Sequence, residues 1–128
     1  MRIYFGSTAA ELKDFISDGE IEIPELYAAT PQFKSTHSDC DEEELEFILS
    51  LLAADDALDF SQEDSSTPVV IACEVGDDSI DSYGEMFVTL KGPVLWSTAE
   101  AVFTVGEDAE DLTWFAAEEV PLIIDSWS

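Results

Sequence analysis

The stretch CDEEELEFILSLLAADDALDF, Cys40 to Phe60, decides the architecture. Leu45, Ile48, Leu49 and Leu52 recur at i, i+3, i+4 and i+7, which sets all four on one face of a helix. Asp39 or Asp41 can cap its start, and Glu42, Glu43 and Glu44 then occupy the first turn, where the helix dipole favours anions. Asp55, Asp56 and Asp59 lie toward the other end, where the same dipole disfavours carboxylates. Helix physics therefore explains the first group of acids and leaves the second without a local reason.

Toward the N-terminus, RIYF (2–5) reads as a short strand, followed by Thr8, Glu11, Leu12, Phe15, Ile16 and Gly19, the capping box, apolar stripe and terminal glycine of one amphipathic helix. EIEI (20–23) and LYAAT before Pro31 are short extended pieces. Toward the C-terminus, SQEDSST (61–67) is a polar linker and VVIACEV (69–75) a buried strand. GDDSIDSYG (76–84) is a loop, and EMFVTL (85–90) alternates as a strand able to pair with VVIACEV in a hairpin. A helical turn near Trp96, a strand over Ala101 to Val105 and a helix over Glu107 to Glu119, broken by Pro121, complete the chain. The order β, α, β, α, β, β, β, α, without internal repeats, predicts a single α+β domain over 1–128 with about three helices packed on a mixed β-sheet.

Composition bounds the partners. A chain of 128 residues that is 46% hydrophobic can build one core, yet it carries 30 acidic residues against 4 basic ones, Arg2, Lys13, Lys34 and Lys91, for a net charge of -26. A compact chain of this size is about 36 Å across. Duplex DNA of that length carries about 21 charges. The surface is thus as anionic as DNA, which excludes direct nucleic-acid binding, opposes anionic membranes and favours a basic protein partner. No apolar run is long enough for a signal peptide core or a membrane span, and Cys40 and Cys73 are too few for a disulfide framework. The expected protein is soluble and cytoplasmic, with free thiols.

No constellation specifies a reaction. HSDCD brings His37, Asp39, Cys40 and Asp41 together, but a closed zinc site needs four ligands and no second pair is spaced to supply them. GDDSIDS offers Asp77, Asp78, Asp81 and the following Glu85 without the register of a calcium loop. Catalysis through the single histidine would have to use Cys40, a thiol beside a helix start where a thiolate could be favoured. Carboxylate neighbours such as Glu118 and Glu119 diverge on a helix. The expectation is therefore no catalytic set, no metal and no cofactor.

MRIYFGSTAAELKDFISDGEI, LYAATP, VTLKGPVLWSTAEAVFTV and LTWFAAEEVP together resemble an uncharacterised family of small acidic proteins of actinobacteria. The matching positions are Met1 to Tyr4, Tyr27 to Pro31, Leu112, Trp114, Phe115, Glu119 and Val120, while Phe103 stands where the family pattern has a histidine. The resemblance implies a cytoplasmic bacterial protein and carries no activity across. Charge density then favours a non-enzymatic binding protein that engages a basic partner, with a nucleic-acid-binding protein whose DNA it mimics as one class. An ordinary domain adapted to salt and an unrecognised enzyme are the alternatives. The candidate partner-binding residues are Asp55, Asp56, Asp59, Trp114, Glu118, Glu119 and Trp127.

Overall fold

A computed structural model describes residues 1–127. β1 (Arg2–Thr8) runs into α1 (Ala9–Asp18) through Thr8, whose side-chain oxygen accepts from the Glu11 N–H. α1 ends at Gly19, which takes φ 81°, a conformation that costs glycine nothing. β2 (Glu20–Ile21) and β3 (Leu26–Ala28) follow, then α2 (Pro31–Thr36), α3 (Glu42–Asp64) and β4 (Pro68–Glu74). The chain closes with β5 (Ile80–Tyr83), β6 (Phe87–Leu90), β7 (Val94–Leu95), β8 (Ala99–Val105), β9 (Leu112–Ala116) and α4 (Val120–Ile123).

The class is α+β. Seven strands lie in the order β5-β6-β3-β1-β4-β8-β9, with β2 and β7 as a separate ribbon. Where a mixed sheet was expected, every neighbouring pair is antiparallel. β1 and β4 are central and buried on both faces, which is why they read as continuous apolar runs. On one face Tyr4, Val70 and Ala72 meet Leu45, Leu49 and Ala53 of α3. On the other, Ile3, Phe5, Val69 and Ile71 meet Leu12 and Phe15 of α1, with Val120 and Ile124 from the C-terminal turn.

The α3 layer sits close because the contact is made of small residues. A Cβ on Gly6 would collide with the carbonyl oxygen of Ala53 and lie 2.7 Å from the Ala57 nitrogen. Only glycine lets the helix backbone rest on β1 at this crossing. α3 ends at Ser65, held at φ 59° with its N–H on the Ser61 carbonyl. A side chain in that region is strained, so Ser65→Gly is expected to raise stability by about 0.5 kcal/mol, read from the urea midpoint.

Several expectations are corrected. The helix capped by Asp41, which accepts from the Glu44 N–H at 2.9 Å, does not stop near Phe60 but continues through Ser61–Asp64, more than half of the expected linker. Gln, Glu and Asp tolerate a solvated helix end, so polarity alone misplaced that boundary. β4 pairs with β1 and β8, leaving β6 to pair with β3 and β5, so the expected hairpin does not form. The loop after β4 holds β5, and α2, with Pro31 in its first turn and Thr30 as its cap, went unread.

The largest correction is at Glu107–Glu119. No α-helix forms there: residues 106–111 make a turn, with Gly106 N–H on the Asp111 carbonyl at 2.7 Å, Leu112–Ala116 is a strand paired with β8, and only Ala117–Glu119 form a short 3-10 turn that leads into α4. Thr113, Trp114 and Phe115 favour a pleated surface, and pairing with β8 outweighs the loose helical stripe. Pro121 does not break a helix either, since it stands in the first turn of α4.

Candidate functional site

Asp56 and Phe60 are one helical turn apart on α3 and share the flank that faces β3. Opposite them stand Tyr27 of β3 and Phe87 of β6, adjacent through the antiparallel register. The gap between is a cleft of about 380 Å³, walled by Phe5, Tyr27, Phe60 and Phe87, closed at one side by Ile23 and Pro24, and edged by Glu11, Glu25 and Asp56. No Lys or Arg lines it.

Its geometry is fixed by two contacts. The Tyr27 hydroxyl donates to Asp56 Oδ2 at 2.7 Å, and the Tyr27 and Phe87 rings lie 4.8 Å apart at 35°. Ser7 Oγ donates to the Glu11 carboxylate at 2.6 Å, orienting the rim. Burial, then the hydrogen bond to Asp56, then the charges of Asp56, Asp55 and Glu25 all raise the Tyr27 pKa. Tyr27 is therefore held protonated, as the donor of this hydrogen bond. Aromatic faces beside carboxylates suit a cation with an apolar stem, which gains ring and ionic contacts together. Tyr27→Phe is expected to cost about 1 kcal/mol in thermal unfolding, because Asp56 loses its partner while half-buried.

Of the seven sequence-predicted residues, the structure brings only the helix acids near this cleft. Asp56 lines it, while Asp55 and Asp59 are exposed on the same stretch of α3. Trp114 is 59% exposed on β9, at one edge of the sheet and beyond the cleft's lining. Glu118 is exposed just after β9, and Glu119 Oε1 accepts from the Ala116 N–H at 2.8 Å. Trp127 is no exposed anchor: its ring packs on Phe115 at 5.0 Å against the core, and its carbonyl accepts from Thr67 Oγ1. Trp96 meets Phe15 edge-on at 5.3 Å, as a core residue should. Tyr27 and Phe87 were missed, since nothing local marks Tyr27 until the fold sets it against a carboxylate 29 positions away.

His37 and Cys40 share a turn, with Cys40 N–H on the His37 carbonyl at 3.0 Å. The His37 ring stacks on Phe33 at 4.3 Å, and its Nδ1 lies 3.1 Å from the Phe33 carbonyl. Cys40 does not become the favoured thiolate. Partial burial and the carboxylates of Asp39, Glu44 and Asp41 push its pKa up. Among the described residues, no three His, Cys, Asp or Glu are arranged to hold a metal ion, and no helix is long and apolar enough to cross a membrane.

A family model, described as a family of unknown function (DUF6912), matches residues 1–111. The chain belongs to this family. The DUF6912 match spans β1 through β8 and the whole cleft, and stops at Asp111, one residue before β9. No curated protein and no solved structure matches the chain.

Proposed function

We propose that this DUF6912 member is a non-enzymatic binding protein that engages a basic protein partner, with the aromatic cleft receiving a Lys or Arg side chain. One observation carries the reading: carboxylates converge on an aromatic cleft that no base lines, in a chain of net charge -26. Little of that charge is compensated internally. The amino terminus lies 3.8 Å from Glu74, and Lys13 pairs with Asp125 at 3.4 Å, at the surface. An uncompensated field of this size accelerates encounter with cations and weakens as salt rises.

The test is a pull-down at low salt with three baits: the native chain, its Phe60→Ala variant and a charge-matched acidic protein. The reading expects one basic protein retained by the native chain, reduced in the variant and absent from the control. Identical recovery by all three overturns it.

Salt adaptation is the second reading, favoured by how widely the acids spread. Exposed carboxylates stand on α1 (Glu11, Asp14, Asp18), on α3 (Asp55, Asp59, Glu63) and in the segments that follow β4 and β8 (Asp77, Asp78, Glu107, Asp108). Duplex mimicry would gather them in two ribbons, so its support is weaker than that of the basic-partner reading in general. Either way the folded state repels itself. Raising salt from about 0.1 M to 1 M shortens the screening length from about 10 Å to about 3 Å. The melting temperature is therefore expected to rise by several degrees over that range, measured by circular dichroism.

A further inference from the structure

β9 ends the seven-stranded sheet, and its outer edge carries an ordered set of backbone groups. The Ala116 N–H is taken by the Glu119 side chain, so it points away from β8. In an antiparallel pair, alternate residues turn both their N–H and C=O to the same side. Trp114, two positions back, therefore presents its backbone groups outward as Ala116 does. Leu112 has the same parity, and its N–H is satisfied locally by the Glu110 carbonyl at 3.1 Å. Both ends of the edge are capped from within the chain, and its middle is open at Trp114.

The side chains beside that opening are apolar. Trp114 pairs across strands with Phe103, and Phe103 borders a shallow depression with Phe47 of α3, itself 54% exposed. Exposed edges are ordinarily blunted by a lysine, a proline or a bulge, and LTWFA contains none of these. Charge selects the occupant. Glu110 and Asp111 precede the strand, Glu118 and Glu119 follow it, and Glu43 and Glu46 border the depression, against a single base there, Arg2. A second copy would bring a net charge of -26 against another, so pairing of two β9 edges is opposed.

We propose that β9 is a docking edge for an extended basic segment of a partner protein, which adds to the sheet as a further strand beside Trp114. Backbone hydrogen bonds at Trp114 fix its register, the exposed Trp114 ring, with Phe103 one strand further in, takes its apolar or cationic side chains on that face, and the acids flanking β9 take its remaining charges. This rests on the basic-partner reading above and adds to the cleft a second contact, at the far edge of the sheet, together with the conformation in which the partner binds there.

The experiment uses two probes, a ten-residue peptide alternating lysine and valine, and the same peptide N-methylated on the alternate residues that would face β9. Each is titrated at low salt into the full chain, with affinity from calorimetry and amide exchange at Trp114 from NMR. The unmethylated peptide is expected to bind at least tenfold more tightly, to slow exchange of the Trp114 N–H, and to lose at least tenfold in affinity to Trp114→Ala. Equal binding of both peptides with Trp114 exchange unchanged overturns the docking edge and leaves the basic-partner reading standing. If neither peptide binds, both fall.

Discussion

Replacing Gly6 with alanine is expected to cost about 3 kcal/mol or more, the upper end of what overpacking a core usually costs, because the added carbon meets backbone. Side chains can turn aside; the Ala53 carbonyl and the Ala57 nitrogen can withdraw only if α3 lifts off β1. Lifting it separates Leu49, Ala53 and Ala57 from Tyr4 and Val70, a loss spread along the helix. It also opens the cleft, since Gly6 and Asp56 both line it. Urea unfolding reads the loss, and Gly92→Ala is the control: nothing lies within 4 Å of the carbon it adds. A Gly6→Ala variant within about 1 kcal/mol of the native chain would sink the close-packing argument. Residual protein should show a weaker Tyr27 to Asp56 contact, visible as a freer Tyr27 ring by NMR.

Much of this arrangement could be read from residues alone, and the failures share a cause. α1 announced itself through Thr8, Glu11 and Gly19, and α3 through its leucine spacing, because caps and periodicity are local. β1 and β4 were legible as apolar runs, but who pairs with whom depends on contacts far apart in sequence, and β4 chose β1 over the nearer β6. Leu112–Ala116 was misread because five residues fit a loose helical stripe and a strand alike. The acids of α3 that helix physics could not explain turned out to be divided. Asp56 has a structural reason in Tyr27, whereas Asp55 and Asp59 face solvent. Sequence could pose the question of these acids, and only the placement of β3 beside α3 answers part of it.

Alkaline solution is expected to unfold the protein through Cys73, with an onset near pH 9. Burial holds this thiol, at 0% exposure on the central strand β4, up to about 12 from its ordinary 9.0, against opposing pulls from a Thr98 hydrogen bond and Arg2. Tyr4, raised to about 12 from 10.0 by burial and then by Glu46, acts in the same direction. The sign follows from proton counting. Between the unfolded and folded values the unfolded chain has released its proton and the folded chain has kept it, so stability is full below the unfolded value and falls as pH rises toward the folded one. A rise of about three units is worth about 4 kcal/mol for Cys73 once pH approaches 12. That is a large part of the total stability of a domain this size. Tyr4 begins to contribute a unit higher, and each new thiolate or phenolate in the unfolded chain disfavours return to a compact state already carrying a charge of -26. Cys73→Ala separates the thiol from the rest. At pH 7 the variant should be about 1 kcal/mol less stable, for the small cavity it leaves. By pH 11 it should be the more stable of the two, because it has no thiol to ionise. Urea midpoints measured from pH 7 to 12 should therefore cross, and parallel curves would show that Cys73 is not the group that titrates.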